Sequence, residues 1–270
     1  MSKLTYNVFS TEVSTLSARE LAERVEGWAN VDNGAGHVIC FSDTHGIVKG
    51  HDDPQMRHAL GTADIVAADG HPIAWIGRML FKLPARTNNG PDFLALLASR
   101  SPDSGLRHYL FGGKPGVAGE LSQVLQARYP GILIVGTESP PMGPSSPSEL
   151  EAQLQRMWAT RPDVVWIGLG APKQEIWMAD HRHRLPGITL CGVGAAFDFH
   201  TGHVQRAPVW MSRHGLEWIY RWHREPRRLG PRYCKTIARF LVLFTAQVWR
   251  IAILRAPGTT SDDAPSRIQS

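Results

Sequence analysis

Six short apolar runs, spaced by helix-length segments, limit what this chain can fold into. They are His37–Phe41, Ile65–Ala68, Arg107–Phe111, Ile132–Val135, Asp163–Ile167 and Ile188–Val193. Runs of this length suit strands buried on both faces, and a helical crossover between them returns the chain in parallel. The expected fold class is α/β, with a mainly parallel sheet and helices on both faces. The intervening segments carry helix signals. Ser17-x-x-Glu20 spells a capping box ahead of Leu21, Ala22, Val25 and Trp28. Asp53-Pro54 suits an N-cap followed by proline at the first helical position, opening a helix to about Leu60. Further helices are expected over 72–81, 91–98, up to Tyr129, over 149–160 and over 172–183. The Pro/Ser/Gly-rich stretch 139–148 reads as an exposed loop.

A length of 270 residues with 43% hydrophobic content allows one large domain or two small ones. It excludes a disordered chain, a collagen and a coiled coil. Cys40, Cys191 and Cys234 are too few and too scattered for a disulfide framework or a cysteine zinc site, which suggests a reducing compartment. The start of the chain has no apolar h-region, so no secretory signal is expected. The net charge of +5 is unevenly placed: 15 basic and 19 acidic residues precede 181, whereas 13 basic and 3 acidic lie between 181 and 255. Such a basic C-terminal third suits an anionic partner, whether nucleic acid, phosphorylated ligand or lipid.

From Trp210 onward the strands stop and the chain turns helical. Arg221, Arg224, Arg227, Arg228, Arg232 and Lys235 crowd into one segment, and arginine forks suit phosphate oxygens. Residues 236–254 form the most apolar stretch, but Arg239, Gln247 and Arg250 make it a poor transmembrane span. Lys235, Arg239 and Arg250 share one sector of a helical wheel, which fits an interfacial helix on an anionic membrane. A helix buried against the main domain or another subunit fits as well. The expected organisation is an α/β core over 1–209, a basic helical appendage over 210–256 and a disordered tail over 257–270.

In open α/β sheets the ligand lies at the carboxyl ends of the strands. Asp69-Gly70, Gly112–Gly116, Gly168–Lys173 and Gly192–Phe199 are therefore expected to line one cleft. Asp69 at a strand end can accept a proton from a substrate hydroxyl, or can cap the helix after Pro72. The glycine-rich turn around Gly113 can hold phosphate on its N–H groups, or can be a turn without a ligand. Lys173, Gln174 and Glu175 sit in one first turn, where lysine can meet phosphate and glutamine can read a base or sugar edge; a solvated helix start is the plainer reading. Asp198 lies among apolar neighbours and needs either a ligand or a partner such as Arg206. Asp52-Asp53 reads as a helix cap, and His181-Arg182-His183 as a surface helix, so no metal site is expected.

An ordered set of motifs resembles the WecG/TagA/CpsF glycosyltransferases, family 26. It comprises Ala63-Asp64-Ile-Val-Ala-Ala-Asp69-Gly70-x-Pro72-x-x-Trp75, Gly90-Pro91-Asp92 with Asn89 before it, and Pro172-Lys173-Gln174-Glu175-x-Trp177. Gly192-Val-Gly194-Ala-Ala-Phe197-Asp198-Phe199-x-x-Gly202, Arg206-Ala207-Pro208 and Gly215-Leu-Glu217-Trp218-x-x-Arg221-x-x-x-Glu225-Pro226-x-Arg228 follow in order. The resemblance implies a Rossmann-like core and a C-terminal helical appendage that contacts the membrane and supplies arginines. It implies sugar transfer from a nucleotide-sugar, typically UDP-linked, to a polyprenyl-diphosphate-linked saccharide. The setting it implies is the inner face of the cytoplasmic membrane, in teichoic acid, enterobacterial common antigen or exopolysaccharide assembly. It also implies inversion at the anomeric carbon, with neither metal nor other cofactor, and no nucleic-acid partner. A homo-oligomer is one option for the assembly.

The family's base aligns with Asp69. Arg221, Arg228 and Arg232 then become candidates for stabilising the leaving diphosphate. Thr44, Asn89, Asp92, Gly113, Lys173, Gln174, Glu175, Asp198 and Arg206 become candidates for substrate binding. One departure stands out: the family's Thr-x-Asn after the first apolar strand reads Phe41-Ser42-Asp43 here, with Thr44 next. Two rival classes are a dinucleotide-dependent oxidoreductase and a non-catalytic binder of anionic lipid or nucleic acid. The first lacks a clean G-x-G-x-x-G with an acid about 20 residues on. The second has few aromatic residues interleaved with its arginines in a base-stacking pattern.

Overall fold

The computed structural model describes residues 4–30, 36–141, 143 and 145–255, without the side chains of Val209, Arg213, Arg228 and Arg255. The expected disordered tail over 257–270 lies outside the described residues. An eight-stranded sheet runs in the order β1-β2-β4-β3-β8-β7-β5-β6. Its strands are β1 (Thr5–Val8), β2 (Thr11–Ser14), β3 (His37–Ser42), β4 (Ile65–Ala68), β5 (Arg107–Gly112), β6 (Leu133–Glu138), β7 (Val164–Gly168) and β8 (Thr189–Gly192). Only the β1–β2 hairpin pairs antiparallel. All the other pairings are parallel, so β2 to β8 end on one edge.

Helices cover both faces. On one face lie α2 (Thr44–Asp52), α3 (Pro54–Thr62), α4 (His71–Phe81), α7 (Pro147–Ala159) and α8 (Lys173–His181). On the other lie α1 (Ala18–Ala29), α5 (Gly90–Ser104), α6 (Val117–Arg128) and α9 (Ala196–His200). Side-chain alternation along each strand explains why its apolar run is nearly continuous. Val38 and Cys40 of β3 enter the first core, while Ile39 and Phe41 enter the second. Val165 and Ile167 of β7 enter the first, Val164 and Trp166 the second.

The local signals operate as the sequence spells them. Ser17 and Glu20 form both halves of the capping box on α1. Asp53 caps α3, accepting from Gln55 and Met56 N–H groups at 2.9 and 3.4 Å. Some limits move. Helix α5 begins at Gly90 and continues to Ser104, through Pro102. Helix α7 begins at Pro147, capped by Ser146, so the loop ends earlier than its composition suggests. Helix α8 stops at His181, and a single 3-10 turn (Arg182–Arg184) follows. The hairpin and α2 add elements that the apolar runs do not announce.

After α9 the chain forms α10 (Val209–Arg213), α11 (Glu217–Arg224) and the long α12 (Pro226–Arg255). Within α12, Leu229–Leu254 is long and apolar enough to cross a membrane by length and composition. Its polar residues, however, tie it to the core. Arg239 makes a bidentate pair with Asp52 of α2, at 2.6–3.1 Å. Gln247 Nε2 donates to the Asn7 carbonyl at 2.6 Å, and His45 Nδ1 lies 3.0 Å from Thr236 Oγ1. Phe240 meets Phe9 edge-on, Phe244 meets Trp75, and Leu243 is buried. Arg239 therefore leaves the set of cations expected to face lipid, because Asp52 occupies its fork. Asp52 is correspondingly an ion-pair partner, and only Asp53 is a cap.

Candidate active site

The chain order in the sheet reverses between β3 and β8, the place where open α/β sheets bind ligands beyond the carboxyl edge. Register places the four expected loops on that edge. Ser42 pairs with Ala68, Cys40 with Gly192, Ile167 with Gly192 and Gly112 with Gly168. The turns after β5 and β7 touch closely: Gly113 N–H donates to the Gly168 carbonyl at 3.1 Å. A Cβ at Gly112 would lie 2.6 Å from the Gly168 backbone, and its φ of +142° also favours glycine. The Gly113 amide is thus spent on the protein itself.

Asp69 follows β4 and donates its backbone N–H to the Ser42 carbonyl at 3.0 Å. It is not the cap of α4. That position belongs to Gly70, with φ +97°, and α4 has no side-chain cap. Asp69 is half-buried at the end of the strand. Burial pushes its pKa up to about 8, the Asp43 and Glu217 carboxylates add to the rise, and the Arg221 and Arg206 guanidiniums offset part of it. These partners come from three parts of the chain: the end of β3, the segment after α9, and α11.

Asp43 caps α2, its Oδ1 accepting from Gly46 N–H at 2.8 Å. Thr44 is the first residue of that helix. Glu217 accepts a hydrogen bond from Ser212 at 3.1 Å. Arg221 lies over the Phe199 ring at 5.9 Å, and Arg232 over Tyr233 at 5.7 Å. The Arg232 Nε is buried with no partner among the described residues. Burial raises the Tyr233 pKa, and Arg221 and Arg232 act against that rise. The Arg228 side chain lies outside the described residues.

Arg206 does not pair with Asp198. It forms a fork with Asp92 of α5, through Nη1–Oδ1 and an Nη2–Oδ2 bond of 2.9 Å, and Nη2 also reaches Asn89 Oδ1 at 3.3 Å. Asn89 caps α5, accepting from Asp92 N–H at 2.9 Å. Burial opposes ionisation of Asp92, but the hydrogen bonds from Arg206 and Asn89 win and hold its pKa below the usual range. This pairing anchors the segment after α9 to the core beside the cleft. Replacing Arg206 with methionine should cost about 1 kcal/mol, because the pair is half-exposed. The loss should appear as a lower Tm at pH 7, and should vanish in acid once Asp92 is protonated.

Asp198 is half-buried on α9, and Lys173 is exposed at the start of α8. Gln174 and Glu175 are buried, at 3% and 1% exposure. Burial pushes the Glu175 carboxyl up to about 7, against the lowering effect of its bond from Gln174. Among the described residues, no three His, Cys, Asp or Glu side chains are grouped to hold a metal ion. The site thus gathers Asp69 and Asp43 from the core with Glu217 and Arg221 from α11 and Arg232 from α12. Sequence reasoning misses Asp43, Glu217 and Tyr233 as site residues. Their spacing carries no sign that they meet, although Asp43 and Glu217 both fall inside the motif segments.

The profile of the WecG/TagA/CpsF glycosyl transferase family matches residues 6–253. The chain belongs to this family. The match spans the sheet, the cleft and nearly all of α12. Membership makes the protein a glycosyltransferase, and implies a nucleotide-sugar donor and a saccharide acceptor. It sets aside the oxidoreductase and the non-catalytic binder.

Proposed function

We propose that this glycosyltransferase inverts the anomeric carbon of a UDP-linked sugar without a metal ion. The acceptor is a polyprenyl-diphosphate-linked saccharide of cell-surface polysaccharide assembly. The observation that carries the reading is the raised pKa of Asp69 beside two arginines at the sheet's carboxyl edge. A carboxylate of higher pKa is a stronger base, better matched to a sugar hydroxyl. Asp69 takes the proton from the acceptor hydroxyl as that oxygen bonds to the anomeric carbon. The bond from that carbon to the diphosphate breaks, and negative charge grows on the leaving group. Arg221, Arg228 and Arg232 stabilise it. Lys173, Thr44 and Asp198 contact donor or acceptor, while Arg206, Asn89 and Asp92 hold the wall of the cleft. Residues 1–209 form the catalytic core, and 210–256 the appendage that docks on the inner face of the cytoplasmic membrane.

The test is a panel of nucleotide-sugars offered with a polyprenyl-diphosphate-linked acceptor, with the anomeric configuration of the product read by NMR. A retained configuration, or no transfer from any UDP-sugar, would overturn this reading. The charge around Asp69 gives a second check. Turnover should rise with pH and level off above about 8, because only the ionised form accepts the proton. Asp43→Asn keeps the helix cap but removes one of the carboxylates that raise Asp69. The rising limb of kcat/KM should move to lower pH in this variant; an unmoved limb would mean that another group titrates.

A further inference from the structure

Gln174 sits where two loops of the cleft meet. Its Oε1 accepts from Gly170 N–H at 3.1 Å, in the loop between β7 and α8. The same oxygen accepts from Gly194 N–H at 3.0 Å, in the loop between β8 and α9. Its Nε2 donates to Glu175 Oε1 at 2.9 Å. Both side chains are buried, and Glu175 Oε2 has no hydrogen-bond partner among the described residues. Space is tight as well: a Cβ at Gly192 would lie 2.6 Å from Met178 Cε and 3.2 Å from Gln174 Nε2.

The donor pattern fixes the orientation of the amide. Two backbone N–H groups converge on one end of the Gln174 side chain, so that end must be the oxygen. The NH2 end then faces Glu175 and needs an acceptor in a buried place. The Glu175 carboxyl supplies one, and it does so whether neutral or ionised. Removing it would leave a buried N–H without a partner, or turn the amide so that donors face donors.

We propose that Glu175 is a positioning residue: by holding the Gln174 amide in one orientation, it ties the β7–α8 loop to the β8–α9 loop and sets the floor of the cleft. This rests on the reading above that the donor is a UDP-linked sugar bound at the sheet's carboxyl edge, and adds that its nucleotide diphosphate lies against these two loops. Glu175 itself touches no substrate. Its effect reaches the ligand through the positions of the two loops, whose Gly170 and Gly194 N–H groups are spent on Gln174.

The test uses the full chain and two readouts, amide hydrogen exchange at Gly170 and Gly194 in the free protein and the affinity for UDP. Glu175→Gln keeps an acceptor for Gln174 and should leave both readouts near wild type. Gln174→Glu sets two carboxyls against each other; it should speed exchange at both glycines about tenfold and weaken UDP binding by a similar factor. The double variant Gln174→Glu with Glu175→Gln swaps the pair and restores the pattern, since the carboxylate now at position 174 accepts from both loops and from the neighbouring amide. Exchange should return to within about threefold of wild type. Circular dichroism checks that each variant folds, and Glu175→Leu gives a second route if Gln174→Glu does not. Unchanged exchange in Gln174→Glu and Glu175→Leu, or a swap no better than Gln174→Glu alone, would overturn the proposal. Exchange that behaves as stated in a protein that does not bind UDP would support the link between the loops and sink the UDP reading instead.

Discussion

Asp69→Asn is expected to lower kcat by about 10²- to 10⁴-fold, the usual contribution of a positioned general base. The same change should stabilise the protein at alkaline pH. Burial raises the Asp69 pKa from 3.8 to about 8, so the fold prefers the neutral acid. For a raised carboxyl pKa, that contribution is whole below about pH 4 and is lost as pH rises through 8. Asparagine has no charge to desolvate. The Tm of Asp69→Asn should therefore exceed that of wild type at pH 9 and match it near pH 4. Activity and stability moving in opposite directions is the signature of a strained functional group rather than a structural one. Differential scanning calorimetry at the two pH values, with initial rates on the same samples, decides it. A variant with wild-type turnover would remove Asp69 from the base role. A variant with lower Tm at pH 9 would show that its carboxylate supports the fold.

Strands β3, β4, β5, β7 and β8 are legible in the sequence because each obeys one local rule: a strand covered on both faces needs apolar residues at nearly every position. The hairpin is not. Thr5, Asn7 and Glu12 make it polar, and its turn is Phe9-Ser10, both at positive φ and without the Asn-Gly spelling that marks tight hairpins. Helix α2 is hidden by Gly46 and Gly50, which lower helix propensity. A Cβ at Gly50 would lie 2.7 Å from Leu60 Cδ1, so a larger residue there would make the Leu60 side chain turn aside. The site is legible where a residue ends a strand, as Asp69 does. Its partners are not, because they arrive through tertiary contact. Arg206 illustrates this. Asp198 lies eight residues away and looks the natural partner, but Asp92, 114 residues away, holds the fork. Closeness along the chain says little about charge pairing once distant segments converge on one edge of the sheet.

The second large effect concerns α12, and the way the helix packs determines which change tests it. Leu243 is buried and Phe244 and Gln247 are half-buried against the core, while Leu241, Trp249 and Ile253 are 55%, 71% and 59% exposed. Exposed apolar side chains of this size on one helix are seldom left to water and mark an interaction surface. Trp218 and Trp222 on α11 add aromatic rings that suit the headgroup level of a bilayer. Deleting 236–254 would also uncover Phe9 and Trp75, which Phe240 and Phe244 meet, so a loss of binding after deletion would mix two causes. Changing Leu241, Trp249 and Ile253 together to glutamate leaves the packed face intact. Each side chain inserted into lipid contributes at least about 1.5 kcal/mol, so the three should cost at least about 4.5 kcal/mol, or more than about a thousandfold in partition onto anionic liposomes. Transfer to a short-chain, water-soluble acceptor should survive, because none of the three contributes to the cluster around Asp69. Unchanged liposome binding would mean that the exposed face meets something other than lipid, such as a second copy of the chain, which sedimentation would then reveal.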